Sequence, residues 1–202
     1  MKIYLYYVTF ILLGILLLCC NKRKEQSYTV SNDKVEEASV KENIISITAL
    51  YYNYVFRGEY IVNQSDIRKD IPRFGINRKG VLDAEINDSV KLAKIYLLIA
   101  SLKPSQDIIP LDARIVATIN YSNGVKDTLC IGGEYSDQIF LNGTRMETNN
   151  ELLFTVKNYI GFYPWIIGDD MFRMTEMKDN SFAKEPFVSS AYYKEYQLVM
   201  NE

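Results

Sequence analysis

Two Asn-Gly pairs, Asn123-Gly124 and Asn142-Gly143, constrain the fold of this chain more than any other feature. An Asn-Gly pair between two stretches of β-branched residues is a strong hairpin signal, because both residues tolerate a positive φ. The flanking sequence predicts strands over residues 114–122 and 125–131, and a shorter hairpin follows. The centre of the chain is therefore predicted to be an antiparallel sheet.

A two-residue loop would fix the register of each hairpin, and opposed residues share one face of the sheet. The predicted pairs are Tyr121 with Lys126, Ile119 with Thr128, Ala117 with Cys130, Ile139 with Met146 and Leu141 with Thr144. This register groups Cys130 with the inward-facing Ile115, Ala117 and Ile119. It predicts a buried, unreactive core thiol, since a reactive cysteine needs exposure and a partner that stabilises its thiolate.

A helix is predicted directly after the second hairpin. Thr148 and Glu151 have the spacing of a capping box, and Gly161 followed by Pro164 ends the helix. Its predicted core-facing stripe consists of Leu152, Leu153, Val156, Tyr159 and Ile160.

A second helix is predicted over residues 89–102, with Asp88 as its N-cap and Pro104 beyond its end. Residues 95–100 are apolar on all sides, which indicates a buried helix or a core strand, and the length of the segment favours the helix. Alternating residues from Ile44 to Tyr54 predict a first strand with one buried face.

These elements predict a single α+β domain over residues 44–202, with a mainly antiparallel sheet and about two packed helices. Roughly 160 residues are enough for one domain with its own core. The segment after Trp165 carries no clear pattern, and an edge strand or a short helix both fit it.

The chain contains no histidine, which removes the commonest general base and metal ligand. Three cysteines, of which Cys19 and Cys20 are adjacent, cannot build a four-thiolate zinc site. The net charge of -2 offers no basic footprint for nucleic acid. We therefore expect no metal, no cofactor, no nucleic-acid partner and no catalytic residues.

Two short segments are candidates for chemistry, each with a simpler interpretation. Asp169-Asp170 follows a glycine and could be half of a metal or acid-base site, but a turn is the commoner reason for such a pair. The run from Phe162 to Trp165 could stack on a sugar, but core packing at a helix end is commoner.

The chain begins with Met1-Lys2, an apolar run from Ile3 to Leu18, and then Cys19-Cys20 before a polar stretch. This pattern describes a secretory signal. Residues 17–20, Leu-Leu-Cys-Cys, resemble the lipobox of bacterial lipoproteins. The resemblance implies that Cys20, with Cys19 as the alternative, becomes the acylated first residue of the mature chain.

The resemblance covers residues 1–20 only and implies lipid anchoring in the cell envelope. In that family, an Asp directly after the acylated Cys retains the protein in the inner membrane. Asn21 stands at that position, so the resemblance implies sorting to an outer membrane. An uncleaved membrane helix is the alternative, although the run is marginal for a span of about 20 residues. Residues 21–43 are polar and predict a disordered tether with a reach of about 25 Å.

Asp88-Ser89-Val90 and Asp127-Thr128-Leu129 resemble an O-glycosylation acceptor used by one group of Gram-negative bacteria. The predicted register turns Thr128 toward the core, whereas Ser89, at a helix start, is expected to be accessible.

The sequence thus predicts a lipid-anchored envelope protein that binds an envelope protein or glycan without catalysis, in the manner of an inhibitor or immunity protein. The alternative is a carboxylate-dependent hydrolase of envelope polysaccharide, which would need two carboxylates about 5–9 Å apart in a cleft.

Overall fold

A computed structural model describes residues 43–52, 61–68, 80–166 and 169–201, and the structural statements below concern those residues. One compact unit spans Lys41–Glu202. The lipobox-like segment, the alternative of a membrane helix and the predicted tether, except its last residue Asn43, lie outside the described residues.

Six strands form one antiparallel sheet with the order β2-β1-β3-β4-β5-β6. The strands are β1 (Ile44–Tyr52), β2 (Val81–Ile86), β3 (Ala113–Tyr121), β4 (Lys126–Gly132), β5 (Gln138–Leu141) and β6 (Thr144–Met146). The prediction of an α+β domain with a mainly antiparallel sheet is confirmed. Strand β2 was not predicted.

Three helices have ten or more residues: α1 (Ser89–Ala100), α2 (Asn150–Tyr159) and α5 (Ala191–Asn201). Two shorter helices, α3 (Asp170–Arg173) and α4 (Thr175–Lys178), lie between α2 and α5. The C-terminal segment, for which the sequence left strand and helix open, thus contains three helices joined by turns and, within its described residues, no strand. Within the described residues, every helix is too short or too polar to cross a membrane.

The first hairpin differs from its predicted register by one residue. The Tyr121 N–H donates to Val125 O at 3.0 Å, so the loop has three residues, 122–124, rather than two. Of the Asn-Gly pair only Gly124 has a positive φ, 81°. This is a tight turn followed by a glycine in the left-handed region. After the two-residue loop, it is the next commonest type of hairpin loop. Every cross-strand partner shifts accordingly, and Val116 rather than Ala117 lies opposite Cys130.

The second hairpin confirms its prediction. Ile139 pairs with Met146 and Leu141 pairs with Thr144. Asn142 and Gly143 have φ values of 51° and 80°, as a two-residue loop requires.

One face of the sheet forms the core with α1 and α2. Its central residues are Ile47, Ala49, Ile115, Ala117, Ile119, Leu129, Ile131 and Ile139, and all of them are buried. Helix α1 packs on this face through Leu92, Ile95 and Ile99. The expectation that α1 is buried all round is wrong, because Leu97 on its outer side is 69% exposed.

The N-cap of helix α2 lies one residue later in the sequence than predicted. The Asn149 side chain, and not Thr148, accepts the Leu152 N–H at 2.9 Å. The predicted end is confirmed: Gly161 has a φ of 73°, and the next N–H bonds back to Lys157 O at 2.9 Å. Residues 152–157 of α2 are all buried, so the helix is more enclosed than its predicted stripe.

An aromatic cluster attaches the C-terminal segment to α2. The Phe187 ring lies 4.8 Å from the Tyr163 ring, 5.8 Å from Phe154 and 5.2 Å from Tyr193. The Tyr192 hydroxyl donates to Tyr163 O at 2.9 Å. Since such ring pairs stabilise beyond the area they bury, the segment is an integral part of the domain.

Candidate functional site

The sheet face opposite the helices carries a patch of polar side chains, which we call the hydroxyl face. It consists of Ser46 and Thr48 of β1, Thr118 and Asn120 of β3, and Lys126 and Thr128 of β4. Thr48, Thr118 and Thr128 lie opposite one another and form one row across three strands. Neighbouring strands are about 4.8 Å apart, so the hydroxyls repeat at that spacing.

The second row of the hydroxyl face contains Ser46, Asn120 and Lys126. The Asn120 side chain donates to the Ser46 hydroxyl at 3.0 Å, which orients both groups. Thr48 and Lys126 are exposed and the other members are half-buried. The face thus presents oriented donors and acceptors on regular strands, and these groups match the hydroxyls of a glycan or the polar groups of a protein partner.

Cys130 lies on the same side of the sheet as the hydroxyl face, two residues after Thr128 on β4. Its cross-strand neighbours are Val116 of β3 and Phe140 of β5. The predicted grouping with Ala117 on the helix side is wrong because of the register shift. The predicted burial is confirmed: Cys130 is 2% exposed. Its thiol lies 3.5 Å from Gln64 Oε1, and burial raises its pKa to about 11. Such a thiol is a poor nucleophile.

The register shift also reverses the prediction for the Asp127-Thr128-Leu129 motif. Thr128 faces outward on the hydroxyl face, and Asp127 is the residue that is buried. Asp127 accepts hydrogen bonds from the Tyr121 hydroxyl and the Asn142 amide, each at 2.8 Å. Ser89 is exposed at the start of α1, as expected.

A surface groove of about 520 Å³ runs between the start of β1 and α1, and we call it the α1 groove. Residues 43–45 form one wall, and α1 forms the other through Leu92, Ala93, Tyr96 and Leu97. Asn87 and Ser89 also line the groove. The lining is aliphatic, aromatic, amide and hydroxyl, which suits binding of an apolar or amphiphilic group.

The outer side of α1 continues the groove as an apolar stripe. Val90, Ala93, Leu97 and Ala100 are all exposed and follow the helical repeat. The lysines of α1 lie on another flank: Lys94 pairs with Glu151 at 3.1 Å, and Lys91 lies 5.0 Å from the ring centre of Tyr159. The stripe therefore consists of uncharged residues.

A buried ion pair joins α2 to α4. Lys157 Nζ lies 2.5 Å from Glu176 Oε1, and both side chains are 0% exposed. The same oxygen accepts the Tyr163 hydroxyl at 3.1 Å. Burial lowers the pKa of Lys157 against the opposing effect of Glu176, and burial raises the pKa of Tyr163. Perturbed groups of this kind can mark an active site. Here they are sealed from solvent, which favours a structural role.

The two candidate segments lie at helix ends: the aromatic run follows α2, and Asp169-Asp170 stands at the start of α3. Phe162 and Tyr163 are core residues, whereas Trp165 is 39% exposed. Asp169 precedes α3 and accepts from the guanidinium of Arg173 at 2.8 Å. Neither segment presents two carboxylates in the α1 groove.

Within the described ranges, no group of His, Cys, Asp and Glu side chains is arranged to hold a metal ion. Comparison of the chain with family models, with curated proteins and with solved structures finds no match.

Proposed function

We propose that this protein is a lipid-anchored envelope protein whose domain binds an envelope protein or glycan through the hydroxyl face, without catalysis. The observation that carries the proposal is the row of Thr48, Thr118 and Thr128 across three strands. Side chains on adjacent strands are held by the backbone ladder, so a partner meets them already in place. The anchor is Cys20, with Cys19 as the alternative, and the resulting location is the outer membrane.

The sealed ion pair supports binding over hydrolysis. A carboxylate-dependent hydrolase needs an acid and a base in a cleft that admits substrate. Glu176, the buried carboxylate of the ion pair, is fully enclosed and already pairs with Lys157. The α1 groove is lined by neutral residues. We therefore favour an inhibitor-type or other binding module over the hydrolase.

The proposal is tested by binding of the domain Lys41–Glu202 to two immobilised probes, detergent-solubilised envelope proteins and envelope polysaccharide. The test variant is Thr118→Ala with Thr128→Ala, which removes two hydroxyls of the row. The matched control is Thr144→Ala with Thr148→Ala, since both threonines are exposed outside the hydroxyl face.

We expect the test variant to bind one probe at least about tenfold more weakly than wild type, because two lost hydrogen bonds of about 1 kcal/mol each exceed that factor. The control variant should bind like wild type. Equal binding by both variants would remove the hydroxyl face from the proposal. Release of reducing ends from the polysaccharide by the wild type would favour the hydrolase.

A further inference from the structure

We propose that the α1 groove and its apolar stripe dock on the lipid bilayer to which the chain is anchored, so that the hydroxyl face points away from the membrane. This inference rests on the proposed function for the attachment of the N-terminus to a membrane. It adds the surface that contacts the lipid and the orientation of the domain.

The α1 groove lies close in sequence to the predicted tether. Its wall begins at Asn43, where the segment predicted as a tether joins the domain. The apolar run that ends at Leu18, and Cys20 beside it, precede the groove by some 20 residues. A flexible linker of that length has a reach of about 25 Å and holds the two ends at roughly millimolar effective concentration. Even a weak affinity for lipid then leads to docking.

The exposed surface at the α1 groove and its stripe is apolar. Val90 is 77% exposed, Leu97 is 69% exposed and Ile45 is 55% exposed. Tyr96 lines the groove beside them, and tyrosine is a residue typical of the membrane interface. An exposed apolar stripe free of charged side chains can enter the boundary between headgroups and acyl chains without burying a charge.

The sheet separates α1 from the hydroxyl face. Helix α1 packs on one side of the sheet through Leu92, Ile95 and Ile99. The hydroxyl face belongs to the other side. Contact between the outer side of α1 and lipid therefore directs Thr118 and its neighbours away from the bilayer, where an envelope partner can reach them.

The test uses residues 21–202 with an N-terminal oligohistidine tag, attached to vesicles of phosphatidylethanolamine and phosphatidylglycerol that contain a nickel-chelating lipid. The tag replaces the native anchor, so a failure to find lipid on Cys20 would not affect this result. An environment-sensitive fluorophore is placed on Leu97→Cys. The matched control is Ile108→Cys, because Ile108 is a fully exposed isoleucine in the loop between α1 and β3. The buried thiol of Cys130 is protected from the label.

We expect a blue shift and quenching by brominated lipids at position 97, and neither at position 108. Val90→Asp in the labelled chain should weaken the shift at least about fivefold, because a charge would then have to enter the interface. Circular dichroism should be unchanged, since Val90 is exposed.

Three outcomes would overturn the proposal. The first is no shift at position 97 on vesicles. The second is a shift without vesicles that rises with protein concentration together with dimer mass in sedimentation, which would make a second copy the occupant. The third is a shift without vesicles that disappears when residues 21–40 are removed, which would make the linker the occupant.

Discussion

The ammonium of Lys157 and the carboxylate of Glu176 lie 2.5 Å apart in the interior of the domain, although the two residues are 19 positions apart in the sequence. The Tyr163 hydroxyl completes the cluster. Because both charges are removed from water, each depends on the other, and the pair joins the C-terminal segment to α2.

Replacement of Glu176 by Ala should destabilise the domain by about 3–5 kcal/mol, because it leaves the Lys157 charge buried and unpaired. The double variant Lys157→Met with Glu176→Met should recover most of that loss, since two apolar side chains need no pairing. Urea unfolding followed by circular dichroism measures both. A single variant within about 1 kcal/mol of wild type would mean that the pair is not enclosed as described.

The loss of folding stability at acid pH should depend on the carboxylate of Asp179. This carboxylate accepts hydrogen bonds from the Ser181 N–H and from Asn150, each at 2.8 Å. Hydrogen bonding by the Ser181 side chain, by Asn150 and by the Ser181 N–H lowers the pKa of Asp179 to about 2 from the usual 3.8. The folded state therefore binds this proton less readily than the unfolded state. The resulting stability is present above pH 3.8 and is lost as the pH falls through about 2.

Urea midpoints measured from pH 5 to pH 2 should fall for wild type over that window. Asp179→Asn should reduce the fall and should lower the midpoint at neutral pH. Identical profiles for the two proteins would show that Asp179 has the same proton affinity in the folded and unfolded chains.

Gly124→Ala should destabilise the domain by about 1–2 kcal/mol through the backbone alone. Gly124 has a φ of 81°, and a Cβ added there would meet no atom within 4 Å. Gly124→Asn should cost less than Ala, since Asn tolerates the left-handed region better. Thermal unfolding of the two variants supplies the comparison, and equal stability of Ala and wild type would contradict the three-residue loop.

The Cys130 thiol of the domain Lys41–Glu202 should react slowly with iodoacetamide at neutral pH. Burial raises its pKa to about 11, so the thiolate is scarce until the pH approaches that value. In urea the same cysteine should react at the rate of an ordinary thiol. Fast alkylation of the folded domain at pH 8 would show that the reagent reaches Cys130 from the side of the sheet where Gln64 lies.

The hairpins show how far the sequence determines the fold. The second Asn-Gly pair gave the correct register, whereas the first pair allowed either a two-residue or a three-residue loop. The choice between them moved Cys130 and Thr128 to the other face of the sheet. The two loops differ by a single residue. Because side chains alternate between the two faces of a strand, this one-residue error placed every β4 side chain on the wrong face of the sheet.

The proposed docking surface and the buried ion pair were harder to predict, for different reasons. The exposed stripe on α1 could not be predicted, because residues 95–100 are apolar on every side of the helix. Composition does not tell which of those sides packs against the core. Lys157 could have been noticed, since it lies four residues after Leu153 on the core side of α2. Its partner Glu176 could not, because a contact between distant segments has no local signal.

The anchor at Cys20 is the claim on which the envelope location and the docked orientation depend. Metabolic labelling with a radioactive fatty acid tests it most directly, with wild type, Cys19→Ala and Cys20→Ala expressed in a bacterium that processes lipoproteins. We predict label on wild type and on Cys19→Ala, and none on Cys20→Ala. Label retained by Cys20→Ala, or no label on wild type, would contradict the account.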